Sequence, residues 1–210
     1  MIHQAISRSG AVLALMLLAG CGGGGDEAGS AEGRDEAGSV TSAVDEGGVS
    51  YTSRAGGYQV TWPEGCDQVR VRERTDDAGA IDIIHAFCDR PGTENEGCAV
   101  TAYLALSDEA GGPPTPQTVT GLVRSVMETF QVEMISQRPI IRAGVQGVQV
   151  QCREPGGTGR VWVEGLLAGE RAYVLSAWRG DGALFEHLEY ERFFASFHPV
   201  EESAPAGAGE

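Results

Sequence analysis

The sequence predicts an α+β domain, an antiparallel β-sheet flanked by helices, carried on a disordered leash behind an export signal. Three observations predict it. Between residues 51 and 200, alternating or continuous apolar runs are separated by connections of hairpin length. Behind Pro116, apolar residues recur at i, i+3, i+4 and i+7, the period of a helix with one buried face. In residues 22–50 and 201–210 bulky apolar side chains almost vanish, and a chain of that composition cannot offset its backbone entropy by burial.

From the N-terminus, residues 1–20 read as a lipoprotein signal peptide: a positive start with Arg8, an apolar run over 11–18, then small residues. That run is shorter than the roughly 20 residues needed to span a bilayer. It closes on Leu18, Ala19, Gly20 and Cys21, which resembles the lipobox of bacterial lipoproteins. The resemblance implies that the Cys21 thiol accepts the lipid and that cleavage falls just before it. Acyl chains contribute about 0.8 kcal/mol per buried methylene, so two or more of them hold a protein stably on a membrane. Residues 21–50 then read as a disordered, acidic, glycine-rich linker that repeats Asp-Glu-Ala-Gly-Ser from Asp26 and again from Asp35. The acidic spacing of an EF-hand calcium loop is missing from it.

A single globular domain is expected over 51–200. Strands are read at 58–62, 67–74, 80–87, 98–106, 147–153, 160–167 and 171–178. The turns at 75–79, 155–159 and 168–170 are short and glycine-bearing, which favours antiparallel neighbours. Thr115 as N-cap and Pro116 at the first helical position open a helix that carries Val119, Leu122, Val123, Val126, Met127 and Phe130 on one face. A second helix is expected after Asp181, with Leu184, Phe185, Leu188, Phe193, Phe194 and Phe197. Residues 201–210 read as a disordered tail.

Charge and composition remove whole classes of activity. The chain has 15 basic against 30 acidic residues, a formal charge of −15, and every basic residue is Arg. Without a lysine it cannot be a P-loop NTPase, a pyridoxal-phosphate enzyme or a Ser-Lys hydrolase. Arg8 carries +1, the linker −6 and the tail −3, which leaves −7 for residues 51–200 and excludes nucleic acid as a partner of the domain. No Gly-x-Ser-x-Gly elbow and no His-Glu-x-x-His helix is present.

The run Gly57-Tyr58-Gln59-Val60-Thr61-Trp62-Pro63, the strand-turn-strand passage through Gly147 and Gly165, and the ending from Arg171 to Leu175 followed by Phe193, Phe194 and Phe197 resemble the Mog1/PsbP-like fold. That group includes extrinsic photosystem II proteins and bacterial lipoproteins of unassigned activity. Where such sequences carry an aromatic after the Pro-x-Gly turn, Cys66 stands here. The resemblance covers most of 57–198 and implies a sandwich used as an accessory or binding module.

Apart from Cys21, the chain has Cys66, Cys88, Cys98 and Cys152. An even number in an exported domain reads as two disulfides, with no metal and no cofactor, since a Cys-x2-Cys zinc knuckle is missing. A hairpin centred on Asp77 sets Cys66 opposite Cys88 and Arg72 opposite Asp82. Cys98 shares its strand face with Val100 and Leu104, and Cys152 shares its face with Val148 and Val150. These alternations favour the pairs Cys66–Cys88 and Cys98–Cys152 over a short Cys88–Cys98 loop.

Other candidate residues have bland readings beside the functional ones. His187 and Glu191 have a metal-ligand spacing that solvated helix faces also show. His85 among Ile81, Ile83 and Phe87 reads as a hydrogen-bonded core or boundary histidine rather than a ligand, and His198 sits in no recognisable motif. Arg70, Arg72 and Arg74 form a row that suits an anion, or a solvated face with a cross-strand pair. Trp162 marks either a partner surface or a site under a helix. The functional expectation is a membrane-anchored extracytoplasmic lipoprotein, held by Cys21, that serves as a non-catalytic binding or accessory module for an envelope protein partner. The alternatives are an envelope hydrolase using carboxylates such as Asp82 and Glu164, or a structural spacer.

Overall fold

The computed structural model describes residues 44–45, 48–66, 69–75, 81–90, 96–105, 112–180 and 188–200. The signal peptide, Cys21, the linker as far as residue 43, His187 and the tail lie outside the described residues. In chain order the elements are β1 (Val44–Asp45), β2 (Gly48–Ser53), β3 (Tyr58–Pro63), β4 (Arg70–Thr75), β5 (Ile81–Asp89) and β6 (Glu96–Ala105). They continue with α1 (Pro116–Phe130), β7 (Glu133–Arg142), β8 (Val145–Arg153), β9 (Arg160–Ala168), β10 (Arg171–Arg179), α2 (Leu188–Ala195) and β11 (His198–Pro199). The α+β class is as expected, with an antiparallel sheet and a helix on each side of it.

The near-continuous apolar runs of β9 and β10 place them at the centre, because only a strand covered on both faces can be apolar at every position. The large sheet has the order β4-β5-β6-β10-β9-β8-β7, all antiparallel. One face packs against α1 through Val123, Val126, Val150, Cys152, Val163 and Val174. The other packs against α2 and a small sheet of order β1-β2-β3-β11, through Trp62, Trp162, Leu175, Phe193, Phe194 and Phe197. The protein thus has two cores, one on each side of a shared sheet. Among the described residues no helix is long and apolar enough to cross a membrane.

Helix α1 begins where its residues demand. The Thr115 side chain accepts from the Thr118 backbone N–H, the Thr118 side chain accepts from that of Thr115, and Pro116 needs no N–H partner in the first turn. It ends on Gln131 in the left-handed region at φ 53°, whose N–H returns to the last carbonyls. The helix can sit low on β9 because Gly165 has no side chain: a Cβ there would lie 2.6 Å from both Val119 Cγ1 and Val123 Cγ2.

Two expectations need correction, and one strand was not read from the sequence. The domain was expected to begin at residue 51, but β2 begins at Gly48 and pairs Val49 with Trp62, so the folded part reaches back into the segment read as linker. The stretch 133–142 shows no strand pattern, yet it forms β7 at the sheet edge, where Met134, Ile135 and Ile141 stay about half exposed or more. Pro139 and a register shift at Ile135 make it a guarded edge that resists further strand pairing. The hairpin of β4 and β5 pairs Arg70 with Phe87, Arg72 with His85 and Thr75 with Asp82, three places from the expected register. Arg72 therefore faces His85, and Asp82 accepts instead from the Thr75 hydroxyl at 2.6 Å.

Candidate functional site

A concavity among the described residues is built from turns that lie far apart in sequence. The start of α1 supplies Pro116, Val119 and Thr120, and the β7–β8 turn with the start of β8 supplies residues 144–148. The β9–β10 turn supplies residues 167–171, and Tyr173, Pro199 and Val200 complete a groove of about 890 Å3. One wall depends on Gly57, whose φ of 64° suits glycine and whose missing Cβ leaves room for the Arg171 guanidinium. The Gly57 carbonyl accepts from the Tyr173 hydroxyl and from the Val200 backbone N–H, both at 2.9 Å, and so ties the chain end to the groove. Glu170 and Arg171 are its charged members, while valine, leucine, proline and alanine side chains supply most of the rest. Such a surface recognises by shape and apolar contact, with one polar end to orient the guest.

The carboxylates of the hydrolase alternative do not come together. Glu164 is fully buried, and its two oxygens accept from Arg142 Nε and Nη2 at 2.9 and 2.7 Å. Gln149 Nε2 donates to it at 2.7 Å, and Arg138 Nε donates in turn to Gln149 Oε1 at 2.6 Å. Asp82 lies on β5, three strands from β9 and offset along the ladder, about 20 Å away by ordinary strand spacings. A glycosidase-like carboxylate pair needs about 5–10 Å.

A second ionic cluster joins β5, β6, β10 and α2. Glu96 accepts from Arg90 at 2.9 Å, from Arg179 at 3.1 Å and from the Tyr190 hydroxyl, while Arg90 also donates to Glu189 at 2.8 Å. Burial works against the Glu96 carboxylate, but the Tyr190 and Arg90 hydrogen bonds and the Arg179 charge hold its carboxyl below the usual range. Burial and the neighbouring Glu96 together push the Tyr190 phenol upward.

Cys66 and Cys88 form a disulfide, with Cα atoms 5.6 Å apart. The pair is as expected, but its cause is not the hairpin register. Cys66 stands outside β4, on the turn that follows β3, so the bond clamps the small sheet to the large one. The second expected bond is absent: Cys98 and Cys152 are both buried and free. Cys98 belongs to the core under α2 and Cys152 to the core under α1, so the sheet itself separates them. Alternation along a strand tells which residues share a face, and a sheet buried on both sides offers two interiors to point into.

The arginine row is largely engaged. Arg70 pairs with Asp89 and lies 4.4 Å above the Phe87 ring, and Arg72 lies 5.5 Å from the same ring. His85 stacks on Phe87, and its Nδ1 hydrogen-bonds the Thr101 hydroxyl at 2.8 Å. Burial, with the Arg72 charge, lowers the His85 pKa to about 4. The unfolded chain then binds a proton near pH 6.5 that the folded chain refuses until about pH 4, so stability is full above that window and falls through it as pH drops. With allowance for partial exposure the effect amounts to roughly 2 kcal/mol. Thermal melts should show that His85→Gln loses less Tm than the wild type between neutral pH and about pH 4.5. Equal losses in the two proteins would place the acid sensitivity elsewhere.

Trp162 is buried and stacks on Phe194 of α2 at 4.7 Å, so it lies under a helix and forms no partner surface. His198 is exposed on β11 opposite Gln59. Sequence reasoning missed the groove, whose only local signals were the glycines at 57, 144, 147 and 169.

No protein-family model matches the chain and no curated protein matches it. Among solved structures, the protein is similar to the solution structure of cyanobacterial PsbP (CyanoP) from Synechocystis sp. PCC 6803, with a TM-score of 0.52 and 12% identity. The match covers 78% of this chain and 98% of that one. A crystal structure from Bacteroides thetaiotaomicron VPI-5482 aligns more loosely, at a TM-score of 0.39 and 11% identity, over 76% of this chain and 51% of the other. The chain has the Mog1/PsbP-like fold. At 12% identity, that likeness is one of fold.

Proposed function

We propose that the protein is a membrane-anchored extracytoplasmic lipoprotein whose folded domain is a non-catalytic accessory module, binding an envelope protein through the groove between α1 and the turns of β7–β8 and β9–β10. The observation that carries the binding role is the groove itself, an open apolar trough with Glu170 and Arg171 in its lining. The PsbP-like fold supports an accessory role, and the fully buried Glu164, both of whose oxygens accept from Arg142, supports a structural use for that carboxylate. The anchor rests on Leu18-Ala19-Gly20-Cys21, and the linker that follows gives the domain reach above the bilayer.

Two variants of the full chain test the reading. Cys21→Ser should abolish acylation and leave the signal retained or cut elsewhere, as read by mass spectrometry. Normal acylated product from that variant would overturn the anchor. Gln146→Arg, on the exposed rim of the groove, should lose the partner that crosslinks to the wild type while leaving acylation and Tm unchanged. Full retention of the crosslinked partner would remove the groove from the function, and turnover of an envelope polymer by the purified domain would replace the accessory role with an enzymatic one.

A further inference from the structure

The buried cysteines hold more chemistry than one structural bond. Cys88 on β5 and Cys98 on β6 stand directly opposite each other in the ladder. Both point toward the small-sheet side, as core neighbours of Cys66. The Cys98 Sγ lies 3.9 Å from the Cys66 Sγ, so a thiol rests in van der Waals contact with a disulfide. Cys152, on the other face, has no access to the group.

We propose that Cys66, Cys88 and Cys98 form an intramolecular thiol–disulfide exchange centre, in which the bond from Cys66 moves between β5 and β6. In the forward step the Cys98 thiol gives up its proton and its sulfur attacks the Cys66 Sγ. The Cys66–Cys98 bond forms, the Cys66–Cys88 bond breaks, and the electron pair leaves on Cys88, which takes up a proton. One disulfide and one thiol stand on each side of the step, so no external oxidant or reductant is consumed. Cys66 is the sulfur that stays bonded throughout. It ends a turn that contains Gly65 at φ 84°, whereas Cys88 and Cys98 are held by the ladder. A direct Cys88–Cys98 bond would have to draw together two Cβ atoms that an antiparallel ladder keeps about 4.5–5.5 Å apart, against about 3.8 Å in a disulfide. The exchange shifts the clamp between the two sheets by one strand, about 4.8 Å.

The attacking species is the thiolate, so the rate depends on what faces Cys98. Burial is the largest influence and keeps the thiol protonated; Glu189 on α2, Asp89 on β5 and Glu96 at the start of β6 act in the same direction. Arg90 opposes them, and the Tyr190 hydroxyl, bonded to Glu96, lies close by. Exchange is therefore slow near neutrality and faster in base.

Disulfide mapping of the oxidised full chain tests the centre. Samples held at about pH 6 and about pH 9 are quenched in acid and cut under acid after glutamates. Cuts at Glu64 and Glu73 free the Cys66 peptide, and cuts at Glu94 or Glu96 separate Cys88 from Cys98. The Cys66–Cys98 peptide should appear and rise several-fold at the higher pH, and it should be absent from Cys98→Ser. Oxidised Cys88→Ser should carry the Cys66–Cys98 bond as its main product. The proposal is overturned if the wild type yields only Cys66–Cys88 at both pH values, or if Cys152 enters the exchanged bonds, which would mean that global unfolding supplied the thiol. Should Cys88→Ser fail to fold, the wild-type map decides alone.

Discussion

Arg142→Met should destabilise the domain by about 3–5 kcal/mol, one of the largest effects available to a single substitution outside the aromatic core. The cost comes from what is left behind. Glu164 is fully buried on the central strand β9, and the Arg142 guanidinium bonds both its oxygens. Without the guanidinium, the buried Glu164 loses two hydrogen bonds and its counter-charge in a medium of low polarity, and that costs free energy. The double variant Arg142→Met with Glu164→Gln should recover more than half of the loss, because a neutral amide can still accept from Gln149 Nε2, which now lies 2.7 Å from the carboxylate. The control is Arg153→Met. Arg153 and Glu133 are 3.4 Å apart with both side chains more than half exposed, and such pairs contribute about 0–1 kcal/mol. Urea unfolding of the three variants measures the difference. An Arg142→Met protein within about 1 kcal/mol of the wild type would mean that Glu164 reaches water, and the buried-pair account would fail.

Phe194→Ala should cost about 3–5 kcal/mol, as large aromatic truncations in a closed core do. Phe194 has no exposed surface, stacks on Trp162 at 4.7 Å and meets Phe193 edge-on at 5.1 Å. Its loss opens a void between α2 and the large sheet that neither neighbour can fill without leaving its own contacts. Trp162 emission should move to longer wavelength as water enters beside the indole. Leu188→Ala, on the same helix but 65% exposed, should change stability by less than about 0.5 kcal/mol. If the two variants unfold at the same denaturant concentration, α2 does not seal this core.

How much was legible in the sequence differs from element to element. Helix α1 was readable because its information is local: a cap at Thr115, a proline at the first position and an apolar residue every third or fourth place all lie within one stretch. Strands β9 and β10 were readable because burial on both faces writes itself as a continuous apolar run. By contrast, β7 was hidden, since an exposed edge strand with a proline carries neither alternation nor a run. The start of the domain was misplaced because Gly48, Val49 and Ser50 look like linker until β3 pairs with them.

By itself, the sequence determined the α+β class, the amphipathic helix, the turn-bounded central strands and the absence of any lysine chemistry, each a matter of residue type or of spacing within a few positions. The tertiary structure decided the β4–β5 register, which moved Arg72 from Asp82 to His85, and the fate of the cysteines. Two cores on one sheet sent Cys98 and Cys152 to opposite sides and brought Cys98 beside the Cys66–Cys88 bond. The groove was decided there as well, because it draws on the start of α1, two hairpin turns and the chain end after α2. Faces, registers and concavities depend on which distant segments pair, and that choice is made by burial summed over the whole chain, which no local period records.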